Sequence, residues 1–370
     1  MRLTFVLPAP VRVPMGGALV VARHAEGLAA RGHTVRVVCP ERPGEGWRAS
    51  AHRLATRVRD RWHGVEDAPL LRMRGASLLE VPEPSAAFVP DADAVIATGY
   101  QTVPWVLALP PEKGEKVYFV QGDERAIHPR AHDTWHAPMA RITCARWLAE
   151  MLRAEGMPVL GFVPNAVDPA TFAIDTPPEA RPPGVCALYH RHAVKGPDVL
   201  IEALTRLRKA WPGVQADVFS ARKPSHRLPD WVRVHVRPTE YRLRALYNRA
   251  AVLLHTSRRE GWALVPMEAA ACGCAVVATD SVGVREYLED GISMRLHEQG
   301  DVEGLVRSAV ALLGDPEARA RQAAAAAQAV SRYAWHASTG EMERLLYVAV
   351  RGSVPARLAG ARARVAADAS

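Results

Sequence analysis

Two glutamates eight residues apart, in Ser257-Arg258-Arg259-Glu260-Gly261-Trp262-Ala263-Leu264-Val265-Pro266-Met267-Glu268, form the most informative stretch of the chain. Glu260 and Gly261 fall in the turn after an apolar, β-branched run at 252–256, and Glu268 falls on the second turn of the helix that the following residues predict. Carboxylates so placed accept hydrogen bonds from sugar hydroxyls, while the free amides at the helix start face a phosphate between them. A glutamate near a helix start is also an ordinary partner of the helix dipole. The spacing leaves both roles open.

A second loop offers the complementary charge. His190-Arg191-His192-Ala193-Val194-Lys195-Gly196 follows an apolar run at 185–189 and precedes a helix that starts near Pro197. Lys195 is one of 5 lysines in a chain with 42 arginines. Where arginine serves as the general cation, a retained lysine carries more information. A cation pair here suits a diphosphate; a solvated surface loop is the alternative. Met15-Gly16-Gly17 follows the first apolar run and opens a helix, so its backbone can approach a phosphate or a sugar. A tight strand-to-helix turn needs glycine on steric grounds as well.

These loops require a scaffold of strands whose carboxyl ends converge. Short β-branched runs alternate with helical patterns from end to end, the signature of βαβ units and parallel sheets. Strands are expected at 3–7, 34–39, 94–98, 116–120, 141–145 and 159–163, with helices at 18–31 and 146–154. The pattern restarts after the proline-rich stretch 175–184, which reads as an interdomain linker. The strands that follow are expected at 185–189, 215–220, 232–236, 252–256 and 275–279, with helices at 198–210, 240–249 and 263–272. Ligands of such sheets bind beyond the carboxyl ends of the strands.

Length and composition bound the rest. At 370 residues, 49% hydrophobic and 23% charged, the chain has globular averages and room for two cores. No run approaches the ~18 apolar residues of a membrane span, and the opening Met1-Arg2-Leu3-Thr4-Phe5-Val6-Leu7-Pro8 is too short for a signal peptide, so a cytoplasmic address is expected. The 5 cysteines fit no disulfide framework and are expected as reduced thiols. Residues 1–76 hold 13 arginines against 6 acidic residues within a net charge of +8. Read as a nucleic-acid surface, this charge lacks an accompanying helix-turn-helix or aromatic-rich strand. Asp91-Ala92-Asp93 precedes its apolar run where a metal-binding Asp-x-Asp follows one, and no His-Glu-x-x-His spacing occurs. No metal and no cofactor are therefore expected.

Gly16-Gly17, Val163-Pro164-Asn165-Ala166-Val167-Asp168, Lys195-Gly196 and the Glu260–Glu268 pair together resemble the retaining GT-B glycosyltransferases of family 4. The likeness runs to about residue 345. It is greatest to bacterial glycan-assembly enzymes of the rhamnosyltransferase type, through Lys116-Val117-Tyr118-Phe119-Val120-Gln121 and Leu188-Tyr189-His190-Arg191-His192-Ala193-Val194-Lys195-Gly196. The resemblance implies an α/β fold of two Rossmann-like domains facing across a cleft. An acceptor-side domain would span 1–174 and a nucleotide-sugar-binding domain 185–330, with a helix at 331–349 crossing back to the first domain and a basic tail at 350–370.

The resemblance also implies the chemistry. Lys195, with Arg191, would neutralise the donor diphosphate, Glu260 would bind the hexose hydroxyls and Glu268 the ribose. Gly16 and Gly17 would approach the diphosphate from the first domain, and Gly261, Trp262, Ala263 and Leu264 would line the donor site. This chain has Gly261-Trp262-Ala263-Leu264 where such enzymes often have Gly-Phe-Gly-Leu, and Gln121 where many have histidine. Gln121, Asp123 and Glu124 are thus the acceptor-side candidates, a structural Asp123 being the alternative. The implied reaction moves a hexose or deoxyhexose from a nucleotide-diphosphate sugar to a glycan, lipid-linked or small-molecule hydroxyl, with retention and without metal. An epimerase or hydrolase on the same fold is the competing enzyme reading. At helical spacing Leu54, Val58 and Trp62 form a stripe flanked by Arg53, Arg57 and Arg61, the layout of a helix lying on an anionic membrane or of a surface helix packed on its own domain.

Overall fold

The computed structural model describes residues 1–11, 15–41 and 73–367, with side chains described as far as residue 352. The interfacial-helix segment 47–62 lies outside the described residues. The chain divides into two compact units, Met1–Val163 with His336–Ser370, and Pro164–Trp335.

The first unit is built on β1 (Arg2–Val6), α1 (Gly16–Ala30), β2 (Thr34–Pro40), β3 (Ser77–Val81), β4 (Ala94–Ala97), α2 (Val103–Ala108), β5 (Glu115–Val120), α3 (Ala131–Trp135), β6 (Ala140–Thr143), α4 (Arg146–Ala154) and β7 (Gly161–Phe162). Its seven strands pair in the order β3-β2-β1-β4-β5-β6-β7, every pairing parallel. Leu3, Phe5, Val95, Ile96, Val117 and Phe119 are fully buried, because a parallel sheet is covered on both faces and its central strands are apolar throughout.

The second unit carries β8 (Gly184–Leu188), α5 (Pro197–Ala210), β9 (Gln215–Ser220), β10 (Arg233–Val236), α6 (Glu240–Arg249), β11 (Val252–His255), α7 (Leu264–Ala271), β12 (Ala275–Thr279), β13 (Arg295–His297), α8 (Val302–Gly314) and α9 (Pro316–Val330). The strand order is β10-β9-β8-β11-β12-β13, again all parallel. Residues of β8, β11 and β12 pack with Leu200, Leu204 and Leu207 of α5 and Leu305 and Ala309 of α8 into one buried cluster. Helix starts follow local chemistry. Pro197 and Pro316 occupy first-turn positions, and Thr239, Asp301 and Asp315 accept backbone amides as caps.

In both sheets the chain turns back across its own first strand. β1 lies between β2 and β4, and β8 lies between β9 and β11, so the crevices beyond the carboxyl ends of β1/β4 and β8/β11 are the switch points where ligands of this architecture bind.

Three segments differ from the sequence reading. The first unit ends at Val163, earlier than the boundary drawn at 174. Arg244 of α6 donates to the carbonyls of Ala170 and Thr171, and Asn248 accepts the amides of Asp175 and Thr176, which ties 164–176 to the second unit. The proline-rich stretch is no open linker either. Arg181 is 3% exposed and its guanidinium donates to the carbonyls of Thr176, Tyr247, Ala250 and Cys272. Finally, α10 (Trp335–Ala367) runs through the stretch read as a basic tail.

From His336 this helix belongs to the first unit. Glu343 accepts from Arg31 Nε at 2.7 Å and pairs with His33 Nε2 at 2.7 Å. Gly27 of α1 lets the helices approach, since a Cβ there would meet Thr339 Oγ1 at 2.6 Å. Among the described residues, no helix is long and apolar enough to cross a membrane, and all five cysteines are buried with none in a disulfide.

Candidate functional site

Lys195 and Glu260 meet at the switch point of the second sheet. β8 delivers the lysine loop and β11 the glutamate turn, and these strands are hydrogen-bonded neighbours. Lys195 Nζ donates to Glu260 Oε1 at 2.6 Å and to Oε2 at 2.7 Å. Burial alone would raise the Glu260 pKa, but the Lys195 ammonium, His255 and a hydrogen bond from Ser257 hold it below the ordinary carboxylate value. The Lys195 loop is stitched to the end of β11. Thr256 Oγ1 donates to the Lys195 carbonyl at 3.3 Å, and Gly196 adopts φ 61° with its Cα so close that a Cβ would fall 2.0 Å from the Thr256 carbonyl oxygen. Only glycine combines that backbone angle with that approach.

The turn that carries Glu260 is braced from β12. The Glu260 amide donates to the Ser281 carbonyl at 2.9 Å, and Glu260 bridges Val282. Val282 has φ 64° and the Gly283 amide donates to the Ser281 carbonyl at 2.8 Å. This is a γ-turn of the rare positive-φ kind, centred on a β-branched residue. Ala263 has φ 64° at the start of α7. Two strained non-glycine residues thus flank Glu260, at a cost on the order of 1–3 kcal/mol each. The Tyr287 hydroxyl donates to the Ala263 carbonyl and holds that turn.

The remaining donor-side candidates separate by environment. Trp262 is 3% exposed, stacked on Tyr287 at 5.5 Å and edge-on to Tyr333 at 5.2 Å, so its indole belongs to an aromatic cluster under the turn. Gly261 is buried, and Leu264 opens α7. Glu268 lies on α7, half-buried, and accepts from the Tyr247 hydroxyl at 3.0 Å. Burial raises the Tyr287 pKa, and the charges of Glu260 and Glu268 raise it further. Arg191 is exposed on the lysine loop.

At the carboxyl edge of the first sheet, Gly16 and Gly17 are exposed at the start of α1, whose N-cap Met15 supplies no side-chain cap. A Cβ at Gly17 would touch Gln121 Oε1 at 3.3 Å, and Gln121 Nε2 donates to the Thr98 carbonyl at 3.2 Å. The structure therefore brings Gln121 beside the α1 amides. Asp123 points elsewhere: its carboxylate, 6% exposed, receives Arg125 Nε at 2.9 Å. Glu124 accepts from the Tyr118 hydroxyl and from the Tyr100 amide at 3.0 Å, and burial raises its pKa.

Asp91 accepts from Lys113 at 2.9 Å, and Asp93 from the Arg2 amide at 2.7 Å. No cluster of three or more potential metal ligands occurs among the described residues. The loop at 163–168 has a local task, with Asp168 accepting from the Ala170 amide and Thr171 hydroxyl.

Sequence reasoning missed His255, Tyr247 and Ser281. His255 is 4% exposed with Nε2 3.2 Å from Ser281 Oγ; burial lowers its pKa to about 4. A polar residue closing an otherwise apolar strand was the available signal. Tyr247 and Ser281 reach the site from elements far away in sequence and left none.

Residues 184–315, which contain Lys195, Glu260 and Glu268, match the family described as glycosyl transferases group 1. The second unit carries a glycosyl transferases group 1 domain. The chain is 28% identical over 232 residues to a phosphatidyl-myo-inositol mannosyltransferase of Mycolicibacterium smegmatis, covering 59% of this chain and 58% of the relative. It is 33% identical over 159 residues to a D-inositol 3-phosphate glycosyltransferase of Xylanimonas cellulosilytica, covering 40% of this chain and 38% of the relative. The crystal structure of Anabaena HepE with UDP-glucose superposes with a TM-score of 0.72 at 17% identity, covering 94% of this chain and 99% of that one. The matched stretches span about 58% and 38% of those two relatives. At that identity the solved structure establishes the fold, which is α/β of the GT-B class with two Rossmann-like parallel sheets.

Proposed function

We propose that the chain is a retaining glycosyltransferase that moves a hexose or deoxyhexose from a nucleotide-diphosphate sugar to a hydroxyl acceptor. The observation that carries the reading is the Lys195–Glu260 pair at the β8/β11 switch point, inside the stretch that matches glycosyl transferases group 1. Lys195 sits where a diphosphate beyond the carboxyl ends of the strands needs a cation, and Arg191 adds charge on the same loop. Glu260, held ionised, accepts donor-sugar hydroxyls. Glu268, oriented by Tyr247, accepts from the ribose. The α1 amides behind Gly16 and Gly17, at the carboxyl edge of the first sheet, suit a phosphate or sugar oxygen.

The leaving group dictates the rest of the machinery. A nucleoside diphosphate departs as a stable anion, so the protein has to stabilise the charge that grows on its oxygens. The acceptor oxygen bonds to the anomeric carbon as that carbon's bond to the diphosphate oxygen breaks, and the acceptor proton passes to the departing phosphate on the same face. This balance needs no metal and no protein base, and it retains the anomeric configuration. Gln121 and Glu124, at the carboxyl edge of the first sheet, are the groups proposed to meet the acceptor; Asp123 serves Arg125. Two relatives bear inositol in their names, which supports a polyol hydroxyl as acceptor, lipid-linked or free.

The test is the configuration of the product, read by NMR of the anomeric proton after transfer in the presence of EDTA. Retention with undiminished turnover is expected. Inversion, or a strict requirement for a divalent cation, overturns the mechanism.

A further inference from the structure

Arg258 has no role in the scheme above, yet it touches both halves of the site. Its Nη1 donates to the Ala193 carbonyl at 2.6 Å and to Asp198 Oδ1 at 2.9 Å, and its Nη2 donates to Asp198 Oδ2 at 2.6 Å. Ala193 opens the short turn that ends at Lys195, and Asp198 lies in the first turn of α5 just beyond it. One guanidinium therefore grips the lysine loop on both sides of Lys195. The Arg258 backbone amide adds a bond of 2.7 Å to the Val194 carbonyl. Its carbonyl accepts from Gln299 Nε2, which also donates to the Asp280 carbonyl at 2.9 Å. Two residues on, Glu260 meets Lys195.

We propose that Arg258 is a positioning residue that sets the Lys195–Glu260 geometry by clamping the loop 193–198 to the strand end carrying Glu260. The assignment rests on the diphosphate-binding reading of Lys195. Simple ion pairing does not account for the arrangement. The Asp198 side chain is 66% exposed, and an exposed ion pair adds little to stability. What the planar fork adds is direction, since it makes two parallel bonds to a carboxylate and a third to a carbonyl, a pattern that the point charge of lysine does not reproduce. The opposed pKa shifts, Arg258 raised chiefly by its hydrogen bond to Asp198 and Asp198 lowered chiefly by the same bond, agree with a tight contact.

The experiment is a double-mutant cycle on the full chain, titrated calorimetrically with UDP, GDP, ADP and dTDP and followed with the tightest binder. Arg258→Met should weaken binding about tenfold, with little change in Tm, and Arg258→Lys should recover only part of the loss. In a Lys195→Met background, Arg258→Met should cost less than about twofold, because the cation it positions is gone. Asp198→Asn, which removes one arm of the clamp and spares Arg258, should show the same dependence on Lys195 with a smaller loss. It stands in if Arg258→Met fails to fold. Full additivity, or wild-type affinity in Arg258→Met, overturns the positioning role while leaving Lys195 as the diphosphate cation. If none of the four nucleotides binds wild type, or if Lys195→Met binds as wild type does, the reading of Lys195 falls and the clamp with it.

Discussion

Lys195 gives two hydrogen bonds to one carboxylate, and that contact sets the two glutamates of the proposed scheme apart. Glu260 competes with any phosphate for the lysine, whereas Glu268 is held by Tyr247 on another helix. Glu260→Gln removes the competing charge. It should leave affinity for a bare nucleoside diphosphate unchanged or raise it several fold, while transfer falls by roughly 10², the scale of one lost transition-state contact. Glu268→Gln should instead weaken the bare nucleotide about tenfold, a typical loss for one hydrogen bond to a charged group. Calorimetry with nucleoside diphosphate beside initial rates with nucleotide sugar checks both; equal losses of nucleotide affinity in the two variants would contradict the assignment. The pair itself was legible, because its residue types and spacing lie within one turn and one helix. Its orienting partners were not, because Tyr247 and Ser281 approach through tertiary packing.

At the scale of elements, the loops after β8 and β11 are positioned by backbone contacts that tolerate little change. Gly196→Ala combines a left-handed backbone with a Cβ placed 2.0 Å from the Thr256 carbonyl oxygen. It should destabilise the chain by about 2–4 kcal/mol, visible as a lower urea midpoint. Ala263→Gly runs the other way. Relief of the positive φ, worth about 1–2 kcal/mol, exceeds the entropy that glycine adds to the unfolded chain, about 0.5–1 kcal/mol. A modest stability gain is therefore expected, and a loss would show that Ala263 is not strained. Strand reading failed only where the apolar signal is weak. β3 and β13 are edge strands with mostly exposed or half-buried residues, and edges carry polar residues that blur the pattern. The proline-rich stretch misled for another reason. Prolines signal irregular backbone, and irregular backbone can still be packed when a buried arginine such as Arg181 satisfies its neighbours' carbonyls.

For the whole molecule, each unit holds a buried neutral histidine, His24 in the first and His255 in the second. Burial lowers the His24 pKa to about 3 and the His255 pKa to about 4, against 6.5 for an exposed imidazole. The unfolded chain therefore takes up protons that the folded chain refuses, so stability falls as pH drops below 6.5 and keeps falling until the folded-state values are reached. For His24 alone the loss between pH 6.5 and 5 is roughly 1–2 kcal/mol. Urea unfolding at the two pH values should show it, and His24→Leu should reduce the difference by that amount; an unchanged difference would contradict a buried neutral imidazole. The two-sheet plan was legible from alternation alone, whereas the assignment of His336–Ser370 to the first unit depends on contacts such as Glu343 with Arg31 and His33.

The central claim is that residues 184–315 hold a nucleotide-diphosphate sugar through Lys195 and Glu260. Its most direct test is thermal shift of wild-type and Lys195→Ala protein across UDP-, GDP-, ADP- and dTDP-linked hexoses and deoxyhexoses. A ligand present at 100 times its Kd stabilises the folded state by about 2.7 kcal/mol, enough to move Tm by several degrees. At least one nucleotide sugar should raise the wild-type Tm and leave Lys195→Ala largely unmoved at the same concentration. No shift with any of them, or equal shifts in both proteins, would contradict the account.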